Sequence, residues 1–252
     1  MNISLILSLI LFPVLNLSAN EEHPLKPLAK IDQSLARGMN AFLKGSSMKE
    51  SFQGFDQVEL VAKDLRESLK KGGVVSATTM GIEVDIDFVL EGKHVYRLGV
   101  FVHFVDERIE FFQFDGREIG SKEPSRHLAT GKFPESQRAL GKAFEAFVEA
   151  LRGENGDSLL QFPDTKALTK KMSSEKVKEQ IRRSIEKSKE GSAAVLSAVR
   201  GVKYDTLHAR VDDQSFAAIG EDGSWLGIIR GELELDEKGG IRYQLDRYRP
   251  FP

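Results

Sequence analysis

Between Ile82 and Phe88 the chain alternates without exception: Ile82, Val84, Ile86 and Phe88 are apolar, and Glu83, Asp85 and Asp87 are acidic. A period of two belongs to a β-strand with one dry and one wet face, and it lays no stripe along a helix. Strands buried on both faces read as unbroken apolar runs, so this pattern predicts an antiparallel sheet with one polar face. Glu91-Gly92-Lys93 reads as a turn, and His94 to Val105 as the return strand. A three-residue loop sets Ile86 opposite Leu98 and Asp87 opposite Arg97, whereas a two-residue loop sets Ile86 beside Arg97. One residue of slip turns every side chain over, so continuity of the apolar face selects the first register. A further turn at Asp106-Glu107 then pairs Phe104 with Ile109 and Val102 with Phe111 on the core side. On the polar side it pairs His103 with Glu110 and Phe101 with Phe112.

That polar side gathers the candidate binding residues: Asp85, Asp87, Arg97, Phe101, His103, Glu110 and Phe112. Read as a metal or acid/base cluster it meets a geometric obstacle, because residues i and i+4 of one strand lie about 13 Å apart. Read as a solvated face it is coherent, with Arg97 compensating the acidic stripe at roughly 0.2–1 kcal/mol per opposed pair. Phe101, Phe112 and nearby Phe114 need a cover, which the second half of the chain, a second chain or a ligand would supply.

Two stretches carry the other period. Ile31, Leu35, Met39 and Phe42, and again Leu140, Phe144, Phe147 and Leu151, fit helical spacings of three and four. Pro27 and Pro134 stand near their starts, Gly45 and Gly153 near their ends. Each is followed by a loop with Phe55-Asp56 or Phe162-Pro163-Asp164, by a second helical stretch (Gln57 to Lys71; about Lys166 to Lys189), and then by strands (Val74 to Asp115; Ala194 to Tyr248). Val177, Ile181 and Ile185 mark a core stripe on the second of these charged helices, and Trp225 opens a strand running to Leu235. The parallel order predicts two tandem α+β domains, 27–120 and 134–252, each with N-terminal helices on a curved antiparallel sheet, with a single mixed domain as the rival. The join falls at Ser121 to Phe133, which contains Pro124 and Gly131.

Residues 1–20, MNISLILSLILFPVLNLSAN, hold no charged side chain and end their apolar run at Leu17-Ser18-Ala19. This is the layout of a secretory signal peptide cut after Ala19, and it predicts export to a bacterial periplasm or exterior. Retention as an anchor is the rival, but Pro13 and Asn16 interrupt the run. The chain has no cysteine, which excludes disulfides and thiol chemistry and leaves stability to the core. Lys and Arg number 36 against 38 Asp and Glu, a net charge of −2, so no basic field suits nucleic acid.

Motifs of chemistry are missing. His23, His94, His127 and His208 show no ligand spacing, and there is no GxSxG elbow, phosphate-binding glycine loop or DxDxDG calcium loop. No cofactor is predicted. The phrase Lys142-Ala143-Phe144-Glu145-Ala146-Phe147-Val148-Glu149-Ala150-Leu151-Arg152-Gly153-Glu154-Asn155-Gly156-Asp157, followed by helix and then sheet, resembles the nuclear-transport-factor-2-like, cystatin-like α+β roll. That resemblance implies a sheet wrapped around helices, with a cavity used for catalysis in some members and for binding or pairing in many. It carries no catalytic pair to this chain. The expected function is a non-catalytic binding or interaction module for a protein or small molecule. The alternatives are a hydrolase or isomerase using a pocket carboxylate and histidine, and a homodimer contact through Phe101 and Phe112.

Overall fold

The computed structural model describes residues 23–61, 63–105, 108–119, 128–129, 138–160, 162–170, 172, 174–235 and 241–251, with the backbone alone at 105, 108, 110–114, 128, 129, 167, 212 and 235. The expected signal peptide, Pro134, His127, most of the join, and the turns at Asp106-Glu107 and Gly239-Gly240 lie outside the described residues.

Strand β2 (Ser76–Leu90) carries the alternating run and hairpins into β3 (Lys93–Val105). Glu91 and Gly92 both have positive φ, 50° and 73°, as in the two-residue turns whose twist matches that of paired strands. The turn is thus one residue tighter than expected and pairs Leu90 with Lys93. A bulge at Val95 then restores the expected register, with Ile86 opposite Leu98 and Asp87 opposite Arg97.

The next hairpin departs from expectation. β3 pairs with β4 (Arg108–Glu118), and Phe104 meets Ile109 as predicted, but a bulge beside His103 inserts one extra residue in β4. His103 therefore pairs with Phe111, Val102 with Phe112 and Phe101 with Gln113, in place of the Glu110, Phe111 and Phe112 partners read from the sequence.

β6 (Thr206–Ile219), β7 (Trp225–Leu235) and β8 (Ile241–Pro250) form a second antiparallel meander, and β6 pairs antiparallel with β2. With β1 (Gln57–Leu60) parallel to β8, one sheet of eight strands runs β1-β8-β7-β6-β2-β3-β4, and β5 (Leu128–Ala129) pairs with β6 off that path. The fold is mixed α+β. Two helix boundaries need correction. Residues 57–60 are strand, since Val58 and Leu60 are half-buried between exposed Gln57 and Glu59, and only α3 (Leu65–Lys71) is helical there. The stretch expected to be helical to Lys189 divides into α5 (Thr165–Lys170) and α6 (Glu175–Gly201), so strand begins at Thr206, not Ala194. Gly191 inside α6 has no conformational demand of its own, and the apolar stripe simply continues through Leu196 and Val199.

α1 (Pro27–Leu43), with Pro27 in its first turn, and α4 (Arg138–Arg152) lie over the apolar face, and α2 (Met48–Ser51) is a single turn capped by Ser47. Leu28, Leu35, Met39 and Phe42 join Leu140, Phe144, Phe147, Leu151, Leu196 and Val199 in one core with Val84, Ile86, Phe88, Phe216 and Leu245. A smaller apolar cluster of Met172, Val177, Ala217 and Trp225 is distinct from it. Because Phe216 and Ala218 belong to the large core and Ala217 to the small one, the two clusters flank opposite faces of β6.

Candidate functional site

On the face away from α1, the strand registers line up two rows. His208, Asp87, Arg97 and Arg117 follow one another across β6, β2, β3 and β4, and two residues along come Arg210, Asp85, Gly99 and Asp115. The carboxylates of the alternating run thus meet cations from both neighbouring strands. Asp87 is wholly buried, 0% exposed, which corrects the expectation of a simply solvated face. A buried carboxylate persists only with strong donors. Here Arg97 grips it in a fork, Nε donating to Oδ1 at 2.7 Å and Nη2 to Oδ2 at 3.0 Å, and His94 Nδ1 stands 2.8 Å from Oδ2. As a carboxylate accepts only, His94 donates from Nδ1.

Asp85 is the looser member. Arg210 Nη2 donates to its Oδ2 at 3.3 Å, and Arg97 Nη1 lies 3.7 Å from the same oxygen. The His94 and His208 rings meet edge to face at 5.1 Å. At Gly99 in the second row a Cβ would stand 2.6 Å from Asp115 Oδ1 and 3.6 Å from Asp85 Oδ1, so the exposed Asp115 carboxylate would have to move to admit a side chain. Of the seven residues expected to act together, the structure brings Asp85, Asp87 and Arg97 into one network. Phe101 is half-buried and lies beside Gly81, where a Cβ would come within 2.8 Å of its ring. His103 Nδ1 bonds the Met80 carbonyl at 2.9 Å. The side chains of Glu110 and Phe112 lie outside the described residues.

Sequence reasoning left out His94, His208 and Arg210. His94 reaches Asp87 through the tight turn and the bulge, and His208 and Arg210 through the β2–β6 pairing, neither of which has a local signature. It also missed a second buried carboxylate, on the opposite face. Asp32 of α1, 1% exposed, accepts from Thr79 Oγ1 at 2.6 Å and from Gln214 Nε2 at 3.1 Å. Burial raises its pKa above the usual carboxylate value, against the lowering effects of Thr79, Gln214 and His103. The signal for this one was present: Leu28, Asp32, Leu35 and Met39 share one helical stripe, so an acid occupies a core position.

At the far end of the sheet, an open depression of about 100 Å³ is lined by Glu59, Glu232, Glu234, Gln57, Arg242 and Gln244 together with Tyr243. Arg242 spans it, donating from Nε to Gln57 Oε1 at 2.6 Å and lying 3.6 Å from Glu234 Oε2. Among the described residues no three His, Asp or Glu side chains are grouped to hold a metal, and no helix is long and apolar enough to cross a membrane. No protein-family model, curated protein or solved structure matches this chain.

Proposed function

We propose that the protein is an exported, non-catalytic binding or interaction module, composed of two like α+β units, whose working surface is the charged sheet face around Asp87 and Asp85. The observation that carries this reading is the three-donor grip on Asp87. A carboxylate so engaged fixes Arg97 and His94 in position and has little capacity left to take a proton from a substrate. The result is a rim of oriented cationic and imidazole groups, a preorganised surface for a protein or small molecule. Two three-stranded antiparallel meanders, each preceded by helices, support the two-unit composition, and the uncharged apolar N-terminus supports export.

A hydrolase or isomerase is the second reading. It is favoured by one contact, the 2.8 Å approach of His94 to a buried carboxylate, which is how a general base is oriented. Native mass spectrometry of the purified chain, with a His94→Gln variant beside it, separates the two. A binding module retains a bound mass or partner on the mature chain from Asn20, and the substitution changes its affinity only. If the variant binds normally but loses turnover of an identified small molecule, the enzyme reading replaces ours.

A further inference from the structure

Among the described residues, the buried side-chain atoms with no hydrogen-bond partner include Gln214 Oε1 and Tyr243 Oη. One is an acceptor lacking a donor. The other is a donor lacking an acceptor, because burial, helped by the nearby Asp213 charge, holds the phenol protonated. Their positions are related by the sheet. Gln214 pairs with Gly231 across β6 and β7, so both point their Cα substituents to the same face. Gly231 has no side chain, and the Tyr243 phenol occupies the space where one would be, with its oxygen in direct contact with the Cβ position. The phenol oxygen is therefore seated beside Gln214, in the row next to it, with Phe52 packing the ring at 4.9 Å between centroids.

We infer that Tyr243 and Gln214 share one buried hydrogen-bond site, in which the phenol donates to Gln214 Oε1 directly or through a single ordered water. A water in that place accepts from Tyr243 and donates to Gln214, so both arrangements have the same chemistry. Gln214 Nε2 already donates to Asp32 Oδ1 and to Thr79 Oγ1, the latter at 2.9 Å. The completed chain runs Asp32, Thr79, Gln214, Tyr243 and links α1 to β2, β6 and β8. It gives the core a polar thread that joins the two meanders and fixes which glycine the tyrosine covers.

Tyr243→Phe in the full mature chain tests this with little risk to folding, since only the hydroxyl is removed. The unfolding equilibrium constant should rise about 5- to 100-fold as Gln214 loses its donor. In a Gln214→Met background the same change should have a much smaller effect, which is the coupling that a shared site requires. An unchanged or lower constant for Tyr243→Phe, or an equal effect in both backgrounds, overturns the inference. A crystal structure then separates the two forms. Direct contact or one bridging water supports the site, and a phenol hydroxyl bonded instead to the Asp213 carboxylate overturns it.

Discussion

Asp87 and Asp32 are equally hidden, 0% and 1% exposed, on opposite faces of the same strands, yet their surroundings differ in kind. Asp87 has a guanidinium fork and an imidazole. Asp32 has a hydroxyl and an amide, both neutral. Cationic donors offset the cost of burying a charge, whereas neutral donors offset it only in part, so burial prevails at Asp32 and lifts its pKa. Equal burial thus gives one acid whose role is to anchor cations and another whose charge is discouraged.

The contrast breaks most completely at Asp87. Asp87→Ala leaves Arg97 and His94 without their shared acceptor and should lower stability by about 3–5 kcal/mol in denaturant unfolding. A loss under 1 kcal/mol would mean that water or a neighbour replaces the carboxylate. Arg97→Lys keeps the charge but not the fork, and a loss of about 1–3 kcal/mol is expected from the same measurement. Asp32→Asn sharpens the other side. An acid whose folded pKa is raised holds its proton more tightly when folded. Its stabilisation is complete below the unfolded value of 3.8 and declines as pH rises through the folded pKa. The Asn variant should lack that decline in a stability–pH profile, and an identical profile would remove Asp32 as its source.

His23 has the opposite sign. Burial lowers its pKa from 6.5 to about 4, so its contribution is complete above 6.5 and is lost as pH falls toward 4. His23→Gln should flatten the profile across that window. The smallest effect is expected at the outer edge of the charged face. Asp85→Asn loosens only long contacts to half-exposed Arg210 and to Arg97, at a cost of about 0–1 kcal/mol.

How much of this was legible depends on the distance over which each feature is written. The pairing of Asp87 with Arg97 follows from a strict alternation that holds the apolar face continuous, with a bulge at Val95 making up for a turn one residue tighter than expected, and the strand from Trp225 to Leu235 follows from its own residues. The bulge beside His103 was not legible, because one inserted residue in β4 changes no local pattern while moving three predicted pairs. The β2–β6 contact brings Arg210 to Asp85 across 125 residues of chain, with nothing in either strand naming its partner. Asp32 is legible in principle, because the fully buried row of α1 runs through Leu28, Asp32, Leu35 and Met39, with Ile31 only at its margin.

Strand β1 pairs in parallel with β8, Gln57 with Arg242 and Leu60 with Leu245. The strand at Gln57–Leu60 therefore has no partner until β8 has been made. Pairing of this range is slow to find, because the loop it closes spans 185 residues. Until β8 arrives, Val58 and Leu60 have no sheet to complete, so the edge that is first in synthesis is last in assembly.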